Sequence, residues 1–297
     1  MANKSNEIFL SIVIPSYNSK HWIAHCLDSL KDQVQRDDVE VIVVDSSEQD
    51  LTPFIRERYP FVQTHHLPQR AYPGTARTHG IRESHGQVIA FIDTDCKASG
   101  DWVEHIITEQ KNGKNVVGGP VANGTPRSLV GTAEYILEFS EMVPAMPEGP
   151  VRFIPTCNIS FKRSVFDQIG KIEDTIKGSD ALFCRKITLL GEPIYFQRPI
   201  TVWHSNRTSL KRYLQNQYDI GVGAAQVRKK ESQIGAVLVK YPFLIPLIPF
   251  ARTLLIGKRF FKYDKKLFLQ FVGLYPLIFL GMVAYTKGFW DGRKKKD

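Results

Sequence analysis

Two carboxylates one residue apart, Asp93 and Asp95, close the apolar run Ala90-Phe-Ile-Asp93-Thr-Asp95. At a separation of about 4 Å two such charges repel by about 4 kcal/mol at an effective dielectric near 20, and a cation between them relieves this. All-oxygen ligands favour a hard ion, Mg2+ or Mn2+, completed by substrate phosphates and water. The competing reading is a solvated loop with two capping aspartates. Asp45 ends a second apolar run and is followed by Ser46, Ser47 and Glu48. It either caps a helix or accepts hydrogen bonds from a nucleotide base or ribose. Arg77 follows Pro73-Gly-Thr75 on a helical stretch, where it would neutralise a diphosphate, pair with Asp93, or face solvent. Asp180, in Gly178-Ser-Asp180, opens a helix whose dipole favours an ionised carboxylate. That suits a general base as well as a cap. His204 follows a short strand and suits a metal ligand, a phosphate partner or a packed ring. The remaining seven histidines contain no HExxH arrangement, so sequence spacing lends a zinc site no support.

These residues need elements to hold them. Residues 9–14 and 39–44 are short β-branched runs that suit buried strands, the first stopped by Pro15. Between them Trp22, Ile23, Cys26, Leu27 and Leu30 recur at helical spacing. Further along, residues 51–58 read as helix, 61–65 as strand, 73–86 as helix and 87–92 as strand. Past Asp101 come a helix, a strand over 116–121 with a Gly-Gly-Pro turn, and a helix over 128–142. Helices over 178–190 and 210–228 enclose short strands at 194–196 and 201–204. Strands alternating with helices indicate a largely parallel α/β sheet. Ligands of such sheets bind beyond the carboxyl ends of the strands, where Asp45 and Asp93 stand.

The net charge of +9 is unevenly placed. Residues 236–297 hold twelve Lys or Arg against three Asp and carry all of it, leaving residues 1–235 neutral. A neutral body with a basic, apolar tail points to an anionic membrane surface and away from nucleic acid. No aromatic-interleaved basic stretch or zinc-knuckle spacing argues otherwise. With 43% hydrophobic and 23% charged residues, neither wholesale disorder nor a polytopic membrane protein fits. Cys26, Cys96, Cys157 and Cys184 form no CxxC or framework and read as reduced thiols of a cytoplasmic body. The first apolar run is too short for a secretory signal.

The order of the motifs is more telling than any one of them. Ser11-Ile-Val-Ile-Pro15-Ser-Tyr17-Asn18, Val41-Ile-Val-Val-Asp45, Pro73-Gly-Thr-Ala-Arg77-Thr-His-Gly80 and the Asp93–Asp95 triplet together resemble the family 2 glycosyltransferases of the GT-A fold. So do Thr156-Cys-Asn158-Ile-Ser160, Gly178-Ser-Asp180 and Val202-Trp-His204, over roughly residues 10–215. The resemblance implies a GT-A domain over 1–235 and a metal-dependent, inverting hexosyltransferase using a nucleotide-sugar donor, UDP-linked by preference. It implies that Pro15, Tyr17 and Asn18 form the loop under the nucleotide, that Asp45 reads the base and that Arg77 braces the diphosphate. Asp93 and Asp95 would bind Mn2+ or Mg2+, with Asp95 the direct ligand and His204 nearby. Asp180 would deprotonate an acceptor hydroxyl on a lipid-linked or cell-surface polysaccharide. Ser46 and Ser179 depart from the acidic residues frequent at those positions in the family. The alternatives are a catalytically degenerate nucleotide-sugar binder or scaffold at the membrane and a nucleotidyltransferase. The latter needs a Gly-rich basic loop after the first strand, which Pro15-Ser-Tyr-Asn18 is not. A dehydrogenase fails for lack of GxGxxG.

Residues 236–297 form the expected membrane-associating helical appendage. Residues 267–286 are free of charge and just reach spanning length, interrupted by Gln270 and Pro276. Two full spans would put Lys258, Arg259, Lys265 and Lys266 on the far side, against the positive-inside rule. The expectation is therefore a re-entrant or in-plane pair of helices on the cytoplasmic face, with lysines reaching anionic headgroups.

Overall fold

The structure, a computed structural model, describes residues 7–230 and 235–295. Lys296 of the terminal basic cluster lies outside the described residues, as do residues 1–6 and 231–234 of the expected catalytic domain. In chain order the elements are β1 (Leu10–Ser16), α1 (Lys20–Leu30), β2 (Val39–Asp45), α2 (Thr52–Arg58), β3 (Val62–His66), α3 (Pro73–Arg82), β4 (Val88–Ile92) and β5 (Cys96–Ala98). There follow α4 (Trp102–Lys111), β6 (Val116–Gly118), β7 (Val121–Asn123), α5 (Leu129–Phe139), β8 (Gly149–Val151), β9 (Asn158–Lys162), α6 (Arg163–Ile169), α7 (Ser179–Leu189), β10 (Ile194–Phe196) and β11 (Val202–His204). The remainder is helical: α8 (Leu210–Lys230), α9 (Val237–Lys240), a 3-10 turn (Pro242–Leu247), α10 (Ile248–Tyr263), α11 (Lys265–Gly273) and α12 (Tyr275–Lys294).

The chain divides into two compact units. The first holds residues 1–122, 147–175 and 179–204 and is built on an eight-stranded sheet of order β3-β2-β1-β4-β9-β6-β10-β8. Strands β3, β2, β1 and β4 run parallel, while β9 is antiparallel to both its neighbours and β8 is antiparallel at the edge. β2 and β4 are buried at every position, which is why they read as unbroken apolar runs rather than alternating ones. Ser16 is in register with Asp45 and Asp45 with His66, so the ends of β1, β2 and β3 lie side by side. α3 lies close on β1: a Cβ at Gly80 would fall 2.4 Å from a Val13 methyl. A second sheet, β5-β11-β7, pairs β11 antiparallel to β5 with His204 opposite Cys96. β5 and α6 carry no periodic signal that set them apart in the sequence.

The second unit holds residues 123–146, 176–178 and 205–297 and is helical in its described part. The expected boundary at 235 therefore does not coincide with the units: α5 and α8 group with the tail. Their reason is packing. α8 and α12 run alongside in the same direction, Tyr213 meeting Gly281, Tyr218 meeting Gly288 and Val222 meeting Gly292. A Cβ at Gly288 would sit 2.0 Å from the Tyr218 carbonyl oxygen, so only glycine permits this approach. Glu134, fully buried on α5, accepts from the Arg207 backbone amide and guanidinium and from the Asn216 amide (2.5, 3.1 and 2.7 Å). The charge-free stretch 267–286 is not one helix: α11 and α12 meet at a bend of 79°. Among the described residues no single helix is long and apolar enough to cross a membrane.

Candidate active site

The carboxyl end of β4 is the centre of the site. Arg77 projects from α3 beneath it, 3% exposed in its side chain, and its Nη2 donates to Asp93 Oδ1 at 2.5 Å. The guanidinium also lies over the Phe91 ring, 5.5 Å from its centroid. Arg77 thus fixes the first carboxylate of the Asp93–Asp95 pair. The second meets His204, whose Nε2 is 3.4 Å from Asp95 Oδ2. The register of β11 on β5 explains the meeting, since His204 stands opposite Cys96, the next residue after Asp95. A carboxylate and an imidazole at a strand end form a donor set that Mn2+ accepts, and Mg2+ would draw mainly on the carboxylates. The residues present fit a divalent ion.

Asp180 opens α7 with its Oδ1 accepting from the Ala181 amide at 2.9 Å. Phe183, three residues on and so on the same helix face, packs its ring against Phe161 and Phe91 at 5.1 and 6.4 Å. Phe91 is two residues before Asp93. Aromatic packing thus sets the first turn of α7 against the end of β4.

Asp45 is placed differently from its expected role as base reader. It is fully buried, and its oxygens accept from Ser16 Oγ (2.8 Å), Ser47 Oγ (2.6 Å) and the Leu51 amide (3.1 Å), with His66 Nδ1 at 3.3 Å. In this arrangement it ties the ends of β1, β2 and β3 together. Ser47 also accepts from the Asn18 amide at 2.7 Å. Asn18 has φ of 49°, the left-handed region that asparagine tolerates better than most residues. The loop from Pro15 through Tyr17 to Asn18 is therefore held by Asp45 through Ser47. Tyr17 donates its hydroxyl to Glu48 at 3.2 Å, and its ring lies 4.5 Å from the Arg70 guanidinium, which also lies 5.3 Å from the Tyr72 ring. His66 and Ser47 escaped the sequence reading. The parallel register of Asp45 with His66 is the signal that finds the first.

Asn158 also has a clear place. Fully buried, it donates to the carbonyls of Pro120 and Ile200 (3.0 and 2.7 Å) and accepts from Trp102 Nε1 (2.8 Å). It braces the strands instead of facing a ligand. The thiols of Cys26, Cys96 and Cys184 are pushed upward by burial, Cys184 to about 12, so all three stay protonated at neutral pH.

Residues 11–170 match the family described as Glycosyl transferase family 2. The chain belongs to this family. Among curated relatives it is 29% identical over 226 residues to Glycosyltransferase AglE of Haloferax volcanii, covering 74% of each chain. It is 23% identical over 243 residues to the Pre-mycofactocin glycosyltransferase of Mycobacterium tuberculosis, covering 77% of this chain and half of that one. Among solved structures, the mannosyltransferase PcManGT from Pyrobaculum calidifontis, in complex with GDP-Man and Mn2+, superposes with a TM-score of 0.63 over 96% of this chain and 88% of that one, at 16% identity. S. aureus TarS 1-349, in complex with UDP-GlcNAc, gives 0.55 over 95% and 90%, also at 16% identity. These likenesses show the GT-A fold. The chain is thus a family 2 glycosyltransferase with a largely parallel sheet flanked by helices and additional C-terminal helices.

Proposed function

We propose that this family 2 glycosyltransferase moves a hexose from a nucleotide sugar, UDP-linked by preference, to a hydroxyl of a lipid-linked or cell-surface polysaccharide acceptor, with inversion. The observation that carries the reading is the paired arrangement at the end of β4, Arg77 on Asp93 and His204 beside Asp95. Asp95 and His204, with Asp93, would hold Mn2+ or Mg2+. The ion would offset the charge that accumulates on the departing diphosphate. Arg77 orients Asp93 and adds positive charge beneath the same group. Tyr17 presents a ring to the base at the nucleoside end, with Pro15 and Asn18 shaping the loop and Asp45 holding that loop from behind. Asp180 takes the acceptor proton as the hydroxyl oxygen attacks the anomeric carbon and the bond to the diphosphate breaks. One base and an in-line displacement suffice for inversion, and the buried thiols of Cys26, Cys96 and Cys184 are not poised as nucleophiles for a double displacement.

For the tail, the proposal is an in-plane or re-entrant seat on the cytoplasmic face of a membrane. Its support is the bend between α11 and α12 and the exposure of Leu254, Phe261, Leu269 and Val272 in a stretch that carries Lys258, Lys262, Lys265 and Lys266.

The test is thermal unfolding with UDP, GDP, dTDP or CDP, each with and without Mn2+. A nucleotide at a hundred times its dissociation constant adds about 2.7 kcal/mol, a visible shift. A metal-dependent shift with UDP, kept in Asp180→Asn while transfer is abolished, is expected. Asp95→Asn should weaken metal and nucleotide together. No shift with any nucleotide would favour a degenerate scaffold, and normal turnover by Asp180→Asn would remove its assigned role.

A further inference from the structure

β3 ends in two consecutive histidines, and neighbouring strand side chains point to opposite faces. His66 turns to Asp45 and Asp50, at 3.3 and 3.5 Å. His65 turns the other way, to α3. There it meets His79 and, just past the helix end, Glu83, which stand four residues apart and so share a face. The His65 and His79 rings meet edge to face with centroids 5.5 Å apart, and His65 Nδ1 lies 3.9 Å from Glu83 Oε2. One ligand atom from each of the three lies within 4.8 Å of the other two.

We propose that His65, His79 and Glu83 form a transition-metal site, with Zn2+ the best-suited ion, that ties β3 to α3. Two imidazoles and one carboxylate select a borderline ion over Mg2+, so this site and the Asp95 site prefer different metals. A tetrahedral ion with bonds of about 2.0–2.1 Å holds its donors roughly 3.3 Å apart. Closing from the observed spacing needs side-chain shifts on the order of 1 Å, and His65 and Glu83, at 29% and 43% side-chain exposure, have room to make them. Three protein ligands leave one position for water. The ion would fasten two elements that serve the donor site, since α3 carries Arg77 two residues before His79 and β3 carries His66 next to His65. No spacing rule flags the set, because His65 joins it only through the fold.

The test uses the untagged full-length chain, stripped of metal and titrated with Zn2+ by calorimetry, in wild type, His65→Ala, His79→Ala, Glu83→Gln and Asp95→Asn. Co2+ in place of Zn2+ reports tetrahedral geometry by its visible absorption. The expected result is one zinc equivalent that survives Asp95→Asn and raises Tm there. In His65→Ala and His79→Ala its affinity should fall by at least the roughly 10–100-fold that loss of a mere outer-shell partner costs. Zinc uptake unchanged in both histidine variants, uptake lost in Asp95→Asn alone, or no uptake by the wild type would each overturn the proposal.

Discussion

Replacing Asn158 by Asp changes one atom in the core and tests whether that side chain is a brace or a substrate contact. The amide nitrogen that donates to the Pro120 and Ile200 carbonyls becomes an oxygen, while the acceptor for Trp102 remains. Two buried carbonyls lose their donor, at about 1–3 kcal/mol each. A buried carboxyl that takes a proton to avoid ionisation can restore only one of them. The sum is about 2–6 kcal/mol for the ionised form, a large share of the roughly 5–15 kcal/mol that holds a typical domain together. At about 2–4 °C per kcal/mol for a domain of this size, Tm at neutral pH should drop by roughly 10 °C. The sign with pH follows from burial. The new carboxyl has its folded pKa raised above the unfolded value of about 3.9, so stability is greatest below that value and falls as pH rises through the folded pKa. Asn158→Leu should be destabilised with no such pH dependence. Thermal unfolding of both variants across acid to neutral pH gives the answer. An Asp variant that melts with the wild type yet loses transfer would refute the reasoning and make Asn158 a substrate contact.

Further predictions concern other parts of the chain. Burial pulls the Glu40 carboxyl upward, but hydrogen bonds from the His85 amide, Ser11 and the His85 ring outweigh it and leave its pKa below the usual range. Its contribution to stability is therefore present above about pH 4.3 and lost as pH falls through the folded pKa, so Glu40→Gln should flatten the acid limb of a Tm-against-pH curve; an unchanged limb counts against it. Gly288→Ala should lower Tm, although helix propensity alone favours alanine by about 0.8–1.0 kcal/mol, because overpacking costs about 1–3 kcal/mol where the new methyl meets the Tyr218 carbonyl. A rise in Tm would mean that α8 and α12 stand farther apart. In sedimentation of membranes washed in high salt without detergent, the protein should stay in the pellet, and complete release would rule out insertion of the tail.

Much of the first unit was legible because β1, β2 and β4 are sandwiched by helices and so announce themselves as continuous apolar runs with a chemistry-bearing residue at each end. The pairings Arg77–Asp93 and Asp95–His204 follow the motif order, and the first was among the alternatives weighed for Arg77. Asp45 was less legible. Its serine neighbours read as a cap, whereas the fold turns Ser16, Ser47 and His66 onto one carboxylate from three separate elements. Short pieces such as β5 owe their state to a partner strand, β11, more than 100 residues away, which no local pattern encodes. The bend before α12 was visible only as Pro276, and the grouping of α8 with the tail was not visible at all, since glycines at 281, 288 and 292 look unremarkable until a second helix lies on them.

The parallel course of α8 and α12 has a consequence for how the chain is made. Some 45 residues separate the end of α8 from the start of α12, and at about 5–20 residues per second synthesis takes several seconds to cross that interval. During it the strip of α8 around Tyr213, Gly221 and Ala225 has no α12 to cover it. The helical unit closes only once α12 has been made, so until then its nascent form presents an apolar surface open to chaperones, to lipid or to another growing chain. A stop codon or frameshift between α8 and α12 would leave the strands of the first unit intact in sequence yet release a product with that strip permanently bare.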